Sequence, residues 1–207
     1  VLPFLGRVPR IDAQVFIAPG AWVIGDVEIG ARSSVWYNCV VRGDEEPIRI
    51  GARPNLQDGT VVHTSSGRAD TWIGDDVLVG HMCMIHGCRL EDGVFVGMGA
   101  TVLDHAVIEG GAMLAAGALL TPGKRIPAGQ LWAGRPARFM RELTPDDHAD
   151  NRRALQEYPD LAEGHMQTLA QFDAAAGRRP DGPCRCRRCS PGPRPLVGPA
   201  LRVTGGA

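Results

Sequence analysis

The chain has 207 residues, 44% of them hydrophobic but only 5% aromatic, and 27 are glycine, so its core must be built from small and aliphatic side chains joined by tight turns. No run of about 18 apolar residues occurs, which excludes a membrane-spanning helix. The opening VLPFLGRVPRIDAQ lacks the basic region, apolar stretch and small-residue cleavage site of a secretory signal, so the default location is cytoplasmic.

In chain order, the first signal is a period. Aliphatic residues recur about every sixth position, at Ile17, Val23, Ile29, Val35, Val41, Ile50, Leu56, Val62, Ile73, Val79, Ile85, Leu90, Val96, Val102, Ile108, Leu114, Leu120 and Ile126. Four residues after most of them stands a small or β-branched residue: Ala21, Val27, Ser33, Cys39, Thr60, Ser66, Val77, Cys83, Val94, Ala100, Ala106, Ala112 and Ala118. Three such segments would close one triangular coil, with the aliphatic column inside and the small residue at the corner. Stacked coils contact only their neighbours and need capping at the ends. Two interruptions, Gly43 to Arg49 and Thr64 to Trp72, read as loops leaving the coil.

After Pro136 the repeat stops. Thr144 followed by Pro145 and two aspartates marks a helix start. Ala149, Leu155, Leu161, Met166 and Leu169 offer an apolar face, and Pro159 is expected to end or kink the first helix, giving one or two helices along the solenoid. The domain reading is a solenoid over 1–136, a helical segment over 137–176 and a tail over 177–207. That tail holds seven arginines, one aspartate and six prolines, which leaves the body near −7 although the whole chain is at −1. Its Arg/Pro/Gly-rich composition predicts disorder and a solvated appendage.

Three of the six histidines fall between Val62 and Gly87. His63 follows Val62, His81 lies two after Val79 and His86 follows Ile85. With the aliphatic residues pointing inward, all three imidazoles project outward. Neutral imidazole is a common metal ligand, and three with an open fourth position suit hydrolytic metal chemistry. A convex surface cannot wrap one cation with side chains from separate faces, so a second subunit must supply at least one ligand. His105, His148 and His165 read as ordinary surface histidines. Cys39 and Cys83 take the inward corner position and Cys88 lies in a shortened segment, so they read as buried thiols. Cys184, Cys186 and Cys189 lack a fourth ligand and make a weak zinc motif.

Arg42-Gly43-Asp44, the run Asn55-Leu56-Gln57-Asp58-Gly59-Thr60-Val61-Val62-His63 and the run Gly80-His81-Met82-Cys83-Met84-Ile85-His86-Gly87-Cys88 carry a specific likeness. With the repeat and the C-terminal helix, the chain resembles the γ-class carbonic anhydrase family over most of residues 1–170. The period itself is similar to the hexapeptide repeat of left-handed parallel β-helices, over roughly residues 11–135. The resemblance supplies the left hand, an exception to the general preference for right-handed crossovers.

The resemblance implies a mostly β fold, a left-handed parallel β-helix with a C-terminal α-helix, assembled as a homotrimer with three interface sites. His63 and His86 would come from one subunit and His81 from its neighbour. Zinc is the implied cofactor, with iron or cobalt fitting the same nitrogens. The implied activity is hydration of CO2 to bicarbonate by a metal-bound hydroxide formed near neutral pH. Gln57 would orient it with Asn55 nearby, and Glu45 stands in the place of a family glutamate. Arg42 with Asp44 or Asp58 resembles the ion pair that joins subunits and specifies their register.

Two departures stand out. The loop Thr64 to Asp70 carries no glutamate, where well-known members have a proton-shuttle glutamate. Tyr158 is the one candidate for a tyrosine expected on the C-terminal helix. Three other functions are open: a hexapeptide-repeat acyltransferase with one histidine as general base, a metal-hydroxide thioesterase acting on CoA thioesters, and a non-catalytic assembly subunit. The expected partners are a small-molecule substrate and copies of the chain itself, with neither nucleic acid nor membrane.

Overall fold

The structure is a computed structural model that describes residues 1–175. The chain winds as a solenoid of short parallel strands, and the periodic aliphatic residues stack into three columns. One column runs Val23, Val41, Val62, Ile85, Val102, Leu120. A second runs Ile29, Ile50, Ile73, Leu90, Ile108, Ile126. The third runs Ile17, Val35, Leu56, Val79, Val96, Leu114 and ends on Trp132. All of the periodic residues except the half-buried Ile17 are buried, so the three columns are the core.

The corners explain the small residues. Val27, Cys39, Val77, Cys83, Val94, Ala100, Ala106, Ala112 and Ala118 are buried there. Polar corners are satisfied by carbonyls of the coil: Ser33 Oγ donates to Gly30 O at 2.7 Å and Thr60 Oγ1 to Gly80 O at 3.0 Å. Coils approach so closely that a Cβ on Gly97 would meet Ala116 N at 2.3 Å, which is why glycine follows the aliphatic residue here. Ser66, placed by the period at a corner, is instead exposed in the loop after His63.

The structure corrects the first interruption. Gly43 to Arg49 does not leave the coil but lies within one continuous strand, Val40–Ile50. Its neighbour Trp22–Ile29 is continuous as well, and the ladder between them carries two faces past the corner with a register shift between Gly25 and Val27. The extra residues are absorbed as a bulge and not as a loop. The second interruption does leave the coil, over Thr64 to Asp70, closed by a bridge between Ser65 and Ala69.

After a hairpin, Gln130–Ala133 against Arg138–Glu142, one helix runs from Pro145 to Ala175. Thr144 and Asp147 form a reciprocal cap: Thr144 Oγ1 accepts from Asp147 N at 3.2 Å and Asp147 Oδ2 accepts from Thr144 N at 2.7 Å. Of the two outcomes expected at Pro159, the helix does not end there, and a single helix continues through it. Its missing N–H and ring clash are offset by anchors on either side, Tyr158 against Gln57 and the buried Ala162.

Two compact units divide at Met166, and Val1–Met166 holds the solenoid and most of the helix. Among the described residues no helix is long and apolar enough to cross a membrane. The tail from Gly177, with Cys184, Cys186 and Cys189, lies outside the described residues.

Candidate metal centre

His63 and His86 end neighbouring parallel strands, Val61–His63 and Met84–His86, in register opposite each other. Val62 and Ile85 beside them are fully buried, so strand alternation turns both imidazoles outward. The rings meet edge to face at 5.2 Å, with His63 Nδ1 3.2 Å from His86 Nε2. Zinc–nitrogen bonds of about 2.0–2.1 Å in a tetrahedron separate two ligand nitrogens by about 3.3–3.4 Å. The pair is therefore spaced like two ligands of one ion.

His81 is elsewhere. It sits in the turn before Cys83, its side chain 43% exposed and its Nδ1 3.0 Å from Asp58 Oδ2. Among the described residues of the single chain, no three His, Cys, Asp or Glu side chains gather as a metal site. The structure thus brings two of the three predicted ligands together and holds the third apart.

Each histidine has its own aspartate. Asp44 Oδ1 lies 3.0 Å from His63 Nε2, Asp58 serves His81, and Asp104 Oδ1 lies 2.6 Å from His86 Nδ1. A carboxylate on one ring nitrogen favours the proton there and the lone pair on the other, so the atoms left to face a metal are His63 Nδ1 and His86 Nε2, which face each other, and His81 Nε2. Burial works against ionisation of Asp44, but hydrogen bonds from Arg42 and His63 outweigh it and lower its pKa. Burial opposes ionisation of Asp104 too, and Ser65 and His86 prevail.

Arg42 pairs with Asp44 inside the chain, while Asp58 pairs with His81 and not with Arg42. Glu45 is exposed and its Oε2 accepts from Ser66 N at 2.9 Å; Glu46 Oε1 accepts from Gly67 N at 2.8 Å. The loop that lacks a glutamate is thus held by two glutamates from the strand beside it.

Gln57 is buried and its Nε2 donates to Tyr158 Oη, which places the helix tyrosine beside a predicted site residue. Burial raises the Tyr158 pKa, and the bond from Gln57 opposes that. Asn55 is 1% exposed, with Nδ2 3.0 Å from Ser34 Oγ and no partner for Oδ1 among the described residues. His165 corrects the surface reading: its Nδ1 lies 2.8 Å from Tyr37 Oη and its ring stands edge-on to Trp36 at 5.1 Å. Asp104 and Ser65 were not anticipated, yet the period held the signal, because Asp104 lies 18 residues, one coil, beyond His86.

No family model matches the chain. Gamma carbonic anhydrase 2, mitochondrial, of Arabidopsis thaliana is 50% identical over 164 residues, covering 77% of this chain and 59% of the relative. The chain thus spans about three-fifths of that relative's length. A carbonic anhydrase of Geobacillus kaustophilus is 38% identical over 179 residues, covering 86% of this chain and 98% of the relative. The chain belongs to the γ-carbonic anhydrase family. Among solved structures, a hexapeptide transferase family protein from Anaplasma phagocytophilum superposes with a TM-score of 0.75 at 47% identity, covering 79% of this chain and 96% of that one. The γ-carbonic anhydrase family and the hexapeptide-repeat proteins therefore share this solenoid, and the histidine pair has to argue for the chemistry.

Proposed function

We propose that this member of the γ-carbonic anhydrase family hydrates CO2 to bicarbonate at metal sites shared between the subunits of a homotrimer. Zinc is the proposed ion, and iron or cobalt would fit the same nitrogens. The observation that carries the reading is the two-plus-one arrangement: His63 and His86 spaced as ligands, and His81 apart, held through its Nδ1 by Asp58. A convex face closes such a site only with a second copy, whose His81 would complete it. Trp22 at 48% exposure and Met82, beside His81, at 71% supply apolar surface for that contact.

When bound, the ion supplies a Lewis acid that brings the pKa of water to about 7. The chain's own residues prepare for it. Asp44, Asp58 and Asp104 hold the ring protons on the far nitrogens, keeping three lone pairs ready. Gln57, tied through Nε2 to Tyr158, keeps Oε1 as an acceptor that orients a water proton, and Asn55 lies two residues before it, in the strand Asn55–Leu56. Glu45, exposed beside Asp44, takes the released proton to solvent. Arg42, already paired with Asp44, sets the register between subunits. The working compartment is the cytoplasm, and the reading involves neither nucleic acid nor membrane.

The test is stopped-flow CO2 hydration by protein loaded with zinc, or anaerobically with ferrous iron, beside hydrolysis and acyl transfer from acetyl-CoA. Hydration in either metal form, abolished by His81→Ala, supports the reading. A full metal complement without hydration under either ion overturns it, and turnover of the thioester instead would assign the site to acyl chemistry.

A further inference from the structure

Both aspartates that serve the histidine pair are held through their second oxygen as well as their first. Asp44 meets His63 through Oδ1 and Arg42 through Oδ2. Asp104 meets His86 Nδ1 through Oδ1 at 2.6 Å, and its Oδ2 accepts from Ser65 Oγ, also at 2.6 Å. The torsion that turns a carboxylate on its stem is soft, so one contact leaves its plane free to swing and two fix it. With the Asp104 side chain 27% exposed, burial does not fix that plane, and the Ser65 hydroxyl does.

Ser65 is itself a fixed point. It lies in the loop after His63, where Ser65 and Ala69 exchange both backbone hydrogen bonds at 3.0 Å and Arg68 N donates to Ser65 O at 3.0 Å. Glu45 and Glu46 hold the tip of the loop through Ser66 N and Gly67 N. At its base Thr64 Oγ1 accepts from Glu46 N at 3.1 Å, and Thr71 Oγ1 donates to His63 O at 2.6 Å. Ala69 is buried beside Gly87, where a Cβ would meet Ala69 Cβ at 2.8 Å and Asp104 Oδ1 at 2.5 Å. Gly87, directly after His86, therefore leaves room for the loop and for the carboxylate at once.

The two braces differ in charge. Arg42 sets a cation against Asp44 and draws off part of its field. Ser65 is neutral, so it fixes the plane of Asp104 and leaves the full negative charge facing His86. A carboxylate held behind a ligating imidazole fixes its ring and raises its basicity.

We propose that Ser65 is a positioning residue of the metal centre: acting through Asp104, it fixes the orientation of His86 and keeps the ring proton on Nδ1. The loop from Thr64 to Asp70 is the rigid mount that carries it, a task distinct from the proton shuttling of a loop glutamate. The assignment rests on the reading of His86 as a ligand.

Ser65→Ala and Ser65→Thr separate the hydroxyl from the rest of the side chain. The probe is the His86 Nδ1–H proton in nitrogen-edited NMR spectra of the full chain, recorded with and without zinc. In the wild type it should lie far downfield and exchange slowly with water, since a fixed carboxylate makes a short, charge-assisted bond. Ser65→Ala should move it upfield and speed its exchange, while the amides of the distant column residues Leu114 and Ile126 stay in place. Zinc affinity, measured by chelator competition, should fall about three- to tenfold. That is less than the about 10–100-fold expected when the partner of a ligand is altered directly, because water can take the place of the hydroxyl on Oδ2. Ser65→Thr should restore both readouts. An unmoved His86 proton or undiminished zinc affinity in Ser65→Ala, or a Ser65→Thr protein that behaves like Ser65→Ala, would overturn the assignment. The NMR readout needs neither bound zinc nor turnover, so it decides the role of Ser65 even in a protein that hydrates no CO2.

Discussion

Two subunit variants that each fail alone give the most direct test of the shared metal centre. His63→Ala breaks the ligand pair spaced at 3.2 Å, and His81→Ala removes the isolated ligand paired with Asp58. Altering a residue that merely orients a ligand already costs about 10–100-fold in metal affinity, so losing a ligand should cost more than about 100-fold. Neither variant should then retain zinc through size exclusion. In a one-to-one mixture, a site is whole only where a His81→Ala chain contributes the pair and a His63→Ala chain contributes His81. Random head-to-tail assembly satisfies both conditions at about one site in four. Co-expression with two affinity tags, tandem purification and metal analysis should show about a third of the wild-type zinc content in the doubly tagged trimers, which have one whole site among three, and about a quarter in the unselected pool. Doubly tagged oligomers that hold no zinc would refute the two-plus-one geometry, as would a His81→Ala protein that keeps its full complement.

Asp104→Asn keeps a hydrogen-bonding group on His86 but removes the charge that fixes its tautomer. Zinc affinity, measured by chelator competition, should fall about 10–100-fold while the melting temperature stays near that of the wild type. Leu114 is fully buried in the third column, and Leu114→Ala should cost about 2–5 kcal/mol in urea unfolding through lost transfer energy and the residual cavity. Burial pushes the Cys39 and Cys83 thiols up to about 11 and Cys88 to about 12. With Cys184, Cys186 and Cys189 changed to serine, the folded protein should leave Ellman's reagent unreacted at pH 8 and react fully in urea. A raised thiol pKa means the unfolded chain ionises first, so stability should fall as pH rises from about 8.5 toward the folded values. A urea midpoint that does not drop between pH 8 and 10.5 would contradict that burial.

The repeat was legible because a solenoid is held by contacts between successive coils, so a six-residue aliphatic period is already a statement about the tertiary core. Val62 and Ile85 at inward positions were enough to turn His63 and His86 outward. The helix start was equally local, since Thr144, Pro145 and Asp147 form the cap among themselves. Where reading failed, the deciding partner was distant. Gly43 to Arg49 lacks the period and resembles an exit loop, and only the ladder with Trp22–Ile29 keeps it in the coil. Pro159 carries a helix-breaking signal worth about 3 kcal/mol, and packing of its neighbours on the solenoid overrides it. His165 looked like a surface residue until Tyr37 and Trp36, more than a hundred residues away, closed around it.

By itself the sequence determined the coil, the core columns and the outward direction of three histidines, because strand alternation and a fixed period are properties of consecutive residues. Only the tertiary structure decided which aspartate serves which histidine and that His81 stands apart from the His63–His86 pair. Those pairings join residues about one coil apart, and the number of residues in each coil varies with the bulge at Gly25 and the loop after His63. The period says which way a side chain points; stacking register alone says what it meets.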